Sequence, residues 1–229
     1  MSHWCPVATS SVNPSPARVI LLCGPSGSGK STLAERAGLP VLQLDDFYKD
    51  GDDPTLPRLP DGSVDWDDPQ SWHFDQAVAA IRSLCDTGAA EVPIYSIPAN
   101  GAVGSRTQTV GTPVFVAEGI FAAEIVRACE AEGLLADAIC LRNHAFTTAY
   151  RRFLRDVREA RKSVPYLLRR GYRLMRAERA VVNRQRELGA TPCNGHEALA
   201  RMGQSHSAQG REAAPISGSA AGREQPAAV

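Results

Sequence analysis

Short aliphatic runs alternate with segments of helical periodicity along most of the chain. The clearest run, Arg18–Cys23, is continuously apolar and ends at Gly24, which is typical of a strand buried on both faces of a sheet. The pattern predicts further extended segments at Val41–Leu44, Glu91–Ile97, Pro113–Ala117 and Ala138–Leu141.

Helical periodicity lies between these runs. From His73 to Cys85 apolar residues recur every three or four positions, which indicates a helix with one buried face. Helices are also predicted at Lys30–Ala37, Ile120–Glu132 and His196–Met202, and a long arginine-rich helical region at Thr147–Leu188. Because alternating strands and helices favour parallel pairing, we predict an α/β fold with a mainly parallel five-stranded sheet covered by helices on both faces.

The two ends of the chain differ in composition from its centre. Residues 1–17 are rich in Ser, Pro and Asn and are predicted to form a flexible N-terminal arm. Residues 203–229 are rich in Gly, Ser, Ala, Gln and Pro, cannot bury a core, and are predicted to be a disordered tail. A single domain over residues 18–202 remains, in which Asp50–Gln70 is predicted to be mostly loop.

Overall composition narrows the class of protein. Of 229 residues, 43% are hydrophobic and 22% are charged, which is ordinary for a globular domain. The net charge of zero gives no reason to expect binding to nucleic acid or to a membrane. The six cysteines include no C-x-x-C pair, which argues against a zinc site and a disulfide framework and fits a reducing compartment. With neither a secretory signal pattern nor an apolar run of about 20 residues, the expected location is the cytoplasm.

One motif carries specific chemistry. Residues 24–31 match G-x-x-x-x-G-K-[ST] in full, after a predicted strand and before a predicted helix. The glycines let successive backbone N–H groups converge on a phosphate, and the helix N-terminus adds partial positive charge. We predict that Lys30 reaches the β- and γ-phosphates of ATP and that the Ser31 hydroxyl binds Mg²⁺. The predicted nucleotide-binding residues are Gly24, Pro25, Ser26, Gly27, Ser28, Gly29, Lys30, Ser31 and Thr32.

Further stretches follow this motif in a fixed order. They are Asp45-Asp46-Phe47-Tyr48, Asp65-Trp66-Asp67-Asp68-Pro69, Glu118-Gly119-Ile120 and Arg151-Arg152-Phe153-Leu154-Arg155-Asp156. With the phosphate-binding motif, they resemble the uridine kinase family of P-loop kinases, which has relatives that act on nicotinamide riboside, pantothenate and ribulose phosphate. The resemblance implies a three-layer P-loop NTPase fold with a helical lid. It also implies transfer of the γ-phosphate of ATP to a small hydroxyl-bearing metabolite such as uridine.

The resemblance also implies roles for matching positions. Asp45 would accept or orient the proton of the acceptor hydroxyl. Asp67 would bind ribose hydroxyls, because one carboxylate can accept hydrogen bonds from two neighbouring hydroxyl groups. Tyr95 falls where the family places an aromatic residue beside the base. The acceptor-binding residues are therefore predicted to be Asp45, Tyr48, Asp67, Tyr95 and Arg106.

The remaining predicted roles concern the metal and the transferred phosphate. Glu118 ends a predicted buried strand and, with Ser31, would hold Mg²⁺ through oxygen ligands. Arg155, in the stretch similar to the basic lid, would contact the transferring phosphates. The predicted catalytic residues are thus Asp45, Lys30 and Arg155.

The sequence departs from the uridine kinase pattern where acceptor specificity is determined. Glu159-Ala160-Arg161-Lys162 stands in place of the family's E-R-G-R stretch, residues 95–106 include no histidine, and residues 163–202 do not map onto the family. The acceptor therefore stays open between a nucleoside, most plausibly uridine, and nicotinamide riboside, pantothenate or a sugar. A nucleotide-binding regulator without turnover is a further alternative.

Overall fold

Strands and helices alternate in the computed structural model, which describes residues 16–142 and 179–212. The strands are β1 (Arg18–Cys23), β2 (Val41–Gln43), β3 (Ala89–Ser96), β4 (Gly101–Thr109), β5 (Val114–Glu118), β6 (Leu135–Leu141) and β7 (Thr191–Cys193). The helices are α1 (Lys30–Ala37), α2 (Phe74–Thr87), α3 (Val126–Ala131) and α4 (Gly195–Glu212). Residues 179–187 are also helical, and short 3-10 helices lie at Leu44–Phe47 and Pro69–Ser71.

Five strands form one sheet in the order β2-β5-β1-β6-β7, and all four neighbouring pairs are parallel. This confirms the predicted α/β fold and its mainly parallel five-stranded sheet. The fifth member, however, is β7 rather than the segment predicted at Glu91–Ile97. Because β7 is only three residues long and includes Pro192, the sequence shows no strand pattern there. It lies at the edge of the sheet, where a proline is tolerated.

The central strand β1 separates two hydrophobic cores. Val19, Leu21 and Cys23 belong to a core shared with α2 and α3. Ile20 and Leu22 belong to a second core shared with α1 and α4. Because successive side chains of a strand point to opposite faces, burial on both faces accounts for the uninterrupted apolar run of β1. Helices thus cover both faces of the sheet, which is the three-layer arrangement of P-loop NTPases.

The carboxyl ends of β2, β5 and β1 lie side by side because these strands are neighbours in the parallel sheet. Glu118, the last residue of β5, is paired with Leu22 of β1 on one side and Gln43 of β2 on the other. The loops that leave these three ends therefore meet at one edge of the sheet. In open α/β sheets this edge is where ligands bind.

A separate two-stranded hairpin, β3 with β4, follows α2, and its tip contacts the segment after β2. The predicted extended segment at Glu91–Ile97 is one of its strands. The glycine- and serine-rich stretch that follows, predicted to be a loop through Arg106, is the second strand. Most residues of β4 are exposed, so the strand has little apolar patterning, and its antiparallel partner keeps it extended.

Two predicted helix boundaries are corrected. The helix predicted at Ile120–Glu132 is regular only over Val126–Ala131, because residues 119–125 form turns. The final helix continues past Gly203 to Glu212, so the predicted disordered tail begins too early. Ala198 and Met202 anchor α4 in the core, and the helix extends from this anchored part across mainly exposed residues. Residues 1–15 of the predicted arm, residues 213–229 of the predicted tail and the predicted lid, including Arg155, lie outside the described residues. None of the helices in residues 16–142 and 179–212 is long and apolar enough to cross a bilayer.

Candidate active site

The loop between β1 and α1 has the backbone geometry that a phosphate cradle needs. Gly24, Gly27 and Gly29 have φ values of 142°, 80° and 91°, which side-chain-bearing residues rarely adopt. At Gly24 a Cβ atom would also lie 2.6 Å from the Leu141 carbonyl oxygen. The first turn of α1 has no acidic residue and no side-chain cap, so its partial positive charge is available to an anion.

The side chain of Lys30 is folded onto this loop. Its Nζ donates to the carbonyl oxygens of Gly24 at 3.1 Å and Pro25 at 3.4 Å, and the residue is only 7% exposed. The ammonium group is therefore held at the mouth of the loop by backbone acceptors. In this position it can neutralise charge on a phosphate bound by the neighbouring N–H groups.

Ser31 and Glu118 are in direct contact. The Ser31 hydroxyl donates to Glu118 Oε1 at 2.6 Å, and Glu118 is 4% exposed. A hydroxyl and a carboxylate are hard oxygen ligands, and Mg²⁺ commonly takes one or two such groups from a protein and the rest from phosphates and water. No cluster of three or more His, Cys, Asp or Glu able to hold a metal occurs in the described part of the chain. The Ser31–Glu118 pair therefore fits a Mg²⁺ ion that is bound together with a nucleotide.

Asp45 follows β2 and faces the same edge of the sheet. Its side chain is open to solvent on one side but crowded by protein on the others, and this partial desolvation raises the pKa of the carboxyl above its usual range. The positive charge of Lys30 opposes that increase in pKa, and the negative charge of Glu118 adds to it. Asp45 is therefore close enough to Lys30 and Glu118 for their charges to act on its carboxyl group.

Gly119 makes this arrangement possible and was given no role by the sequence analysis. A Cβ atom at residue 119 would lie 2.8 Å from the Leu44 Cβ atom and 3.1 Å from Asp45 Oδ1. Leu44 is 1% exposed and has no room to retreat. A side chain at residue 119 would therefore push Asp45 away from its present position.

We expect Gly119→Ala to lower turnover by about 100-fold, because a displacement of roughly 1 Å at a reacting group has an effect of this size. ATP affinity should change by less than about threefold, because the displaced segment lies on the far side of Glu118 from the phosphate loop. Gly111→Ala is the matched control, since a Cβ atom there meets nothing within 4 Å. Steady-state kinetics and a thermal unfolding curve of both variants distinguish displacement of Asp45 from loss of the fold. Normal turnover in Gly119→Ala would contradict the predicted role of Asp45.

Aromatic side chains form a cluster beside Asp45. The ring of Tyr48 lies 5.8 Å from Trp66, 5.9 Å from Tyr95 and 5.8 Å from Phe121, measured between centroids. The Tyr48 hydroxyl also donates to the Trp66 carbonyl oxygen at 3.3 Å. Aromatic faces in a half-buried cluster suit a planar ligand, which stacks on them in an offset or edge-on geometry.

Two carboxylates face this cluster. Burial raises the pKa of Tyr48, and the negative charges of Asp45 and Asp67 raise it further. Asp67 itself is exposed, and its backbone N–H donates to Asp65 Oδ1 at 3.2 Å. The structure thus brings together four of the predicted acceptor-binding residues, namely Asp45, Tyr48, Asp67 and Tyr95.

Arg106 makes a different contact from the predicted one. Its Nη2 donates to Asp46 Oδ2 at 3.1 Å, and its Nη1 donates to Gln108 Oε1 at 2.9 Å. Its guanidinium group is therefore engaged with protein acceptors next to the site. Whether it also closes on a ligand stays a prediction, as does the role of Arg155.

Two aromatic residues of the site, Trp66 and Phe121, were not predicted from the sequence. Trp66 directly precedes Asp67, and an aromatic residue at that position in an acidic loop was an available signal. Phe121 lies 55 residues from Trp66 in sequence, and only the turns after β5 bring it to Tyr48.

A separate cavity of about 390 Å³ opens at the amino-terminal ends of β6 and β7, at the opposite edge of the sheet from the site.

Comparison with known proteins begins with one family. The sequence model of the phosphoribulokinase / uridine kinase family matches residues 19–185, which include the phosphate loop, Asp45, Asp67 and Glu118. The match therefore covers well over half of the chain.

Individual relatives align with part of the chain. The uridine kinase of Lactobacillus johnsonii is 26% identical over 110 residues, which cover 44% of this chain and 51% of that protein. Inorganic pyrophosphatase TTM1 of Arabidopsis thaliana is 32% identical over 107 residues, which cover 44% of this chain and 15% of that protein. The alignments thus cover at most about half the length of these relatives.

A solved structure supports the fold. The crystal structure of a candidate fructose transport system kinase from Silicibacter sp. TM1040 is similar with a TM-score of 0.55 and 18% sequence identity. The similar region covers 72% of this chain and 84% of that chain.

Proposed function

Because the chain belongs to the phosphoribulokinase / uridine kinase family, we propose that it is a kinase that transfers the γ-phosphate of ATP to the 5′-hydroxyl of a nucleoside, with uridine as the first candidate. The observation that carries the proposal is the position of Asp45. Its carboxylate lies beside Gly119, the residue after Glu118, and is close enough to Lys30 and Tyr48 for electrostatic interaction: the charge of Lys30 lowers the pKa of Asp45, and the charge of Asp45 raises the pKa of Tyr48. A phosphate donor on the loop and an acceptor on the cluster would therefore both adjoin this carboxylate.

The mechanism assigns separate tasks to these residues. The backbone N–H groups of residues 24–31 and the ammonium group of Lys30 bind and neutralise the phosphates. Ser31 and Glu118 would hold Mg²⁺, which supplies further charge neutralisation when it is bound. Asp45 orients the attacking hydroxyl and accepts its proton, as its position at the carboxyl end of a strand allows.

The acceptor side supports a molecule with a ring and vicinal hydroxyls. Tyr48, Trp66 and Tyr95 offer aromatic faces, and Asp67 offers a carboxylate that can accept two hydroxyl protons. A ribonucleoside has both features. Pantothenate has no ring, and a free sugar has no aromatic base, so each would use only part of this site.

An acceptor panel tests the proposal. Purified protein is incubated with Mg²⁺ and ATP or GTP, and with uridine, cytidine, nicotinamide riboside, pantothenate or ribose in turn. ADP or GDP release and the mass of the product are measured. We expect phosphorylation of a ribonucleoside, and 5′-deoxyuridine, which lacks the attacking hydroxyl, should give no product.

The same panel tests the role of Asp67. We expect a 2′-deoxyribonucleoside to have a kcat/KM about 10- to 150-fold lower than the ribonucleoside, because it loses a hydrogen bond to a charged group worth roughly 1.5–3 kcal/mol. In Asp67→Asn this preference for the ribonucleoside should largely disappear. If the wild-type protein has the same kcat/KM for the two nucleosides, Asp67 does not bind the ribose.

A nucleotide-dependent regulator without turnover is the alternative of a different class. It predicts that the protein binds nucleotide in calorimetry while none of the acceptors stimulates release of ADP or GDP. Turnover of pantothenate or ribose alone would keep the kinase reaction and replace the nucleoside as its acceptor.

A further inference from the structure

The carboxylate of Asp46 contacts both strands of the hairpin formed by β3 and β4. Its Oδ1 accepts from the backbone N–H of Tyr95 on β3 at 3.4 Å, and its Oδ2 accepts from Arg106 on β4 at 3.1 Å. Asp46 is the neighbour of Asp45, so these contacts join the hairpin to the segment that carries the proposed base. Tyr95 and Arg106 lie 49 and 60 positions after Asp46 in the sequence.

A second set of contacts joins the same segment to the tip of the hairpin. Asp50 Oδ1 accepts from the backbone N–H of Ala102 at 2.8 Å, and the backbone N–H of Gly51 donates to the Asn100 carbonyl oxygen at 2.7 Å. The fit is close, because a Cβ atom at Gly101 would lie 2.7 Å from Asp50 Oδ1. The tip is therefore interlocked with residues 50–51.

The base of the hairpin is anchored in the core by Ala90 and Val92, whereas its tip depends on the contacts with residues 46–51 for its position near the site. Among the described residues its two strands pair with each other and not with the five-stranded sheet. Near its tip, Ile97 and Val103 are each 60% exposed, so few apolar contacts hold this end. Tyr95, whose ring lies 5.9 Å from that of Tyr48, belongs to the same end.

We propose that Asp46 is a positioning residue for the acceptor site: with Arg106 and Asp50 it clamps the hairpin to residues 45–51 and so sets the distance between Tyr95 and Tyr48. Arg106 then acts through Asp46. Its two terminal nitrogens, Nη2 and Nη1, already donate hydrogen bonds to Asp46 and Gln108. The proposal rests on the proposed kinase function, because it concerns the acceptor side of that same site. It assigns Asp46 and Arg106 to acceptor binding but not to contact with the acceptor.

The kinetic test uses Asp46→Ala, Arg106→Gln and the double variant with the best acceptor from the panel. Each single variant should raise the acceptor KM by about 10-fold and change kcat and the ATP KM by less than about threefold, because a displaced binding wall weakens ground state and transition state alike. The double variant should have nearly the same acceptor KM as each single variant, because each single change already breaks the same ion pair between Asp46 and Arg106. Arg106→Lys, which keeps the charge next to Asp46, should restore much of the acceptor affinity.

The ion pair between Arg82 and Glu132 supplies a matched control. It is a close pair, with Arg82 Nη2 2.6 Å from Glu132 Oε1, and it joins the exposed side of α2 to the residue after α3. Arg82→Gln and Glu132→Ala should leave all kinetic constants unchanged. Multiplying effects in the double variant of Asp46 and Arg106, or a normal acceptor KM in Asp46→Ala, would overturn the proposal; the first result would mean that Arg106 contacts the acceptor itself.

Hydrogen exchange provides a second test that needs no acceptor. In Asp46→Ala, amide exchange over residues 95–106 should become faster by about 10-fold, whereas exchange in β1 should not change. Thermal unfolding of the variant shows whether the fold is retained. If wild type phosphorylates no acceptor but the hairpin loosens as expected, the proposed function fails and the clamp stands. If the exchange of residues 95–106 is unchanged, the clamp fails whatever the activity.

Discussion

Asp45→Asn should lower turnover by about 10²- to 10⁴-fold while leaving the affinity for ATP within about threefold of wild type. The amide has almost the same shape as the carboxylate but cannot accept the proton of the attacking hydroxyl. ATP affinity is retained because the phosphates are bound by the glycine loop and Lys30, which the change does not touch. Single-turnover kinetics with saturating ATP and acceptor measure the rate, and calorimetry measures the affinity.

The control for Asp45→Asn is Asp61→Asn. Asp61 is an exposed loop carboxylate that accepts hydrogen bonds from the backbone N–H and the hydroxyl of Ser63. The Asp61→Asn variant should retain full turnover, which would show that loss of a loop carboxylate does not by itself impair the reaction. Turnover near the wild-type rate in Asp45→Asn would show that another group takes the proton.

Lys30→Ala should weaken ATP binding by more than about 10-fold and lower turnover by about 10²- to 10³-fold, because it removes a buried positive charge that would neutralise the transferred phosphoryl group. Unlike Asp45→Asn, it acts on binding and rate together. The same kinetic and calorimetric measurements therefore distinguish the two variants by the pattern of their effects.

Two comparisons make the Lys30 experiment specific. Arg36→Ala removes an exposed cation from the last turn of the same helix and should leave both constants unchanged. A thermal unfolding curve of Lys30→Ala checks that the loop persists without the hydrogen bonds from Nζ to the carbonyl oxygens of Gly24 and Pro25. Unchanged ATP binding in a folded Lys30→Ala variant would argue against nucleotide binding on this loop.

The two halves of the proposed site differ in how they are built. The phosphate-binding residues lie within one strand, one loop and one helix and are neighbours in sequence, whereas Glu118, the proposed metal partner of Ser31, comes from β5. The acceptor half combines residues after β2, from the following loop, from the hairpin and from the turns after β5. This difference explains why the nucleotide side matches a short motif, whereas the acceptor is identified only by experiment.

Sequence alone identified the parts of this protein that depend on local pattern. The aliphatic runs predicted β1, β2, β5 and the buried second half of β6, because strands covered by helices are mainly aliphatic. The spacing of glycines before Lys30 predicted the loop because only glycine readily adopts the positive φ values found there. Asp45 and Glu118 could be placed at one edge because parallel strands share the direction of their carboxyl ends.

Tertiary structure decided what depends on pairing between distant segments. It recruited β7 rather than β3 as the fifth strand, and it brought Asp46 to Arg106 and Phe121 to Tyr48. None of these contacts has a local signal, because a residue's partner across a hairpin or a turn depends on register and packing over tens of residues. The sequence therefore determined the chemistry of the phosphate loop, whereas the fold determined how the residues of the proposed acceptor site lie beside it.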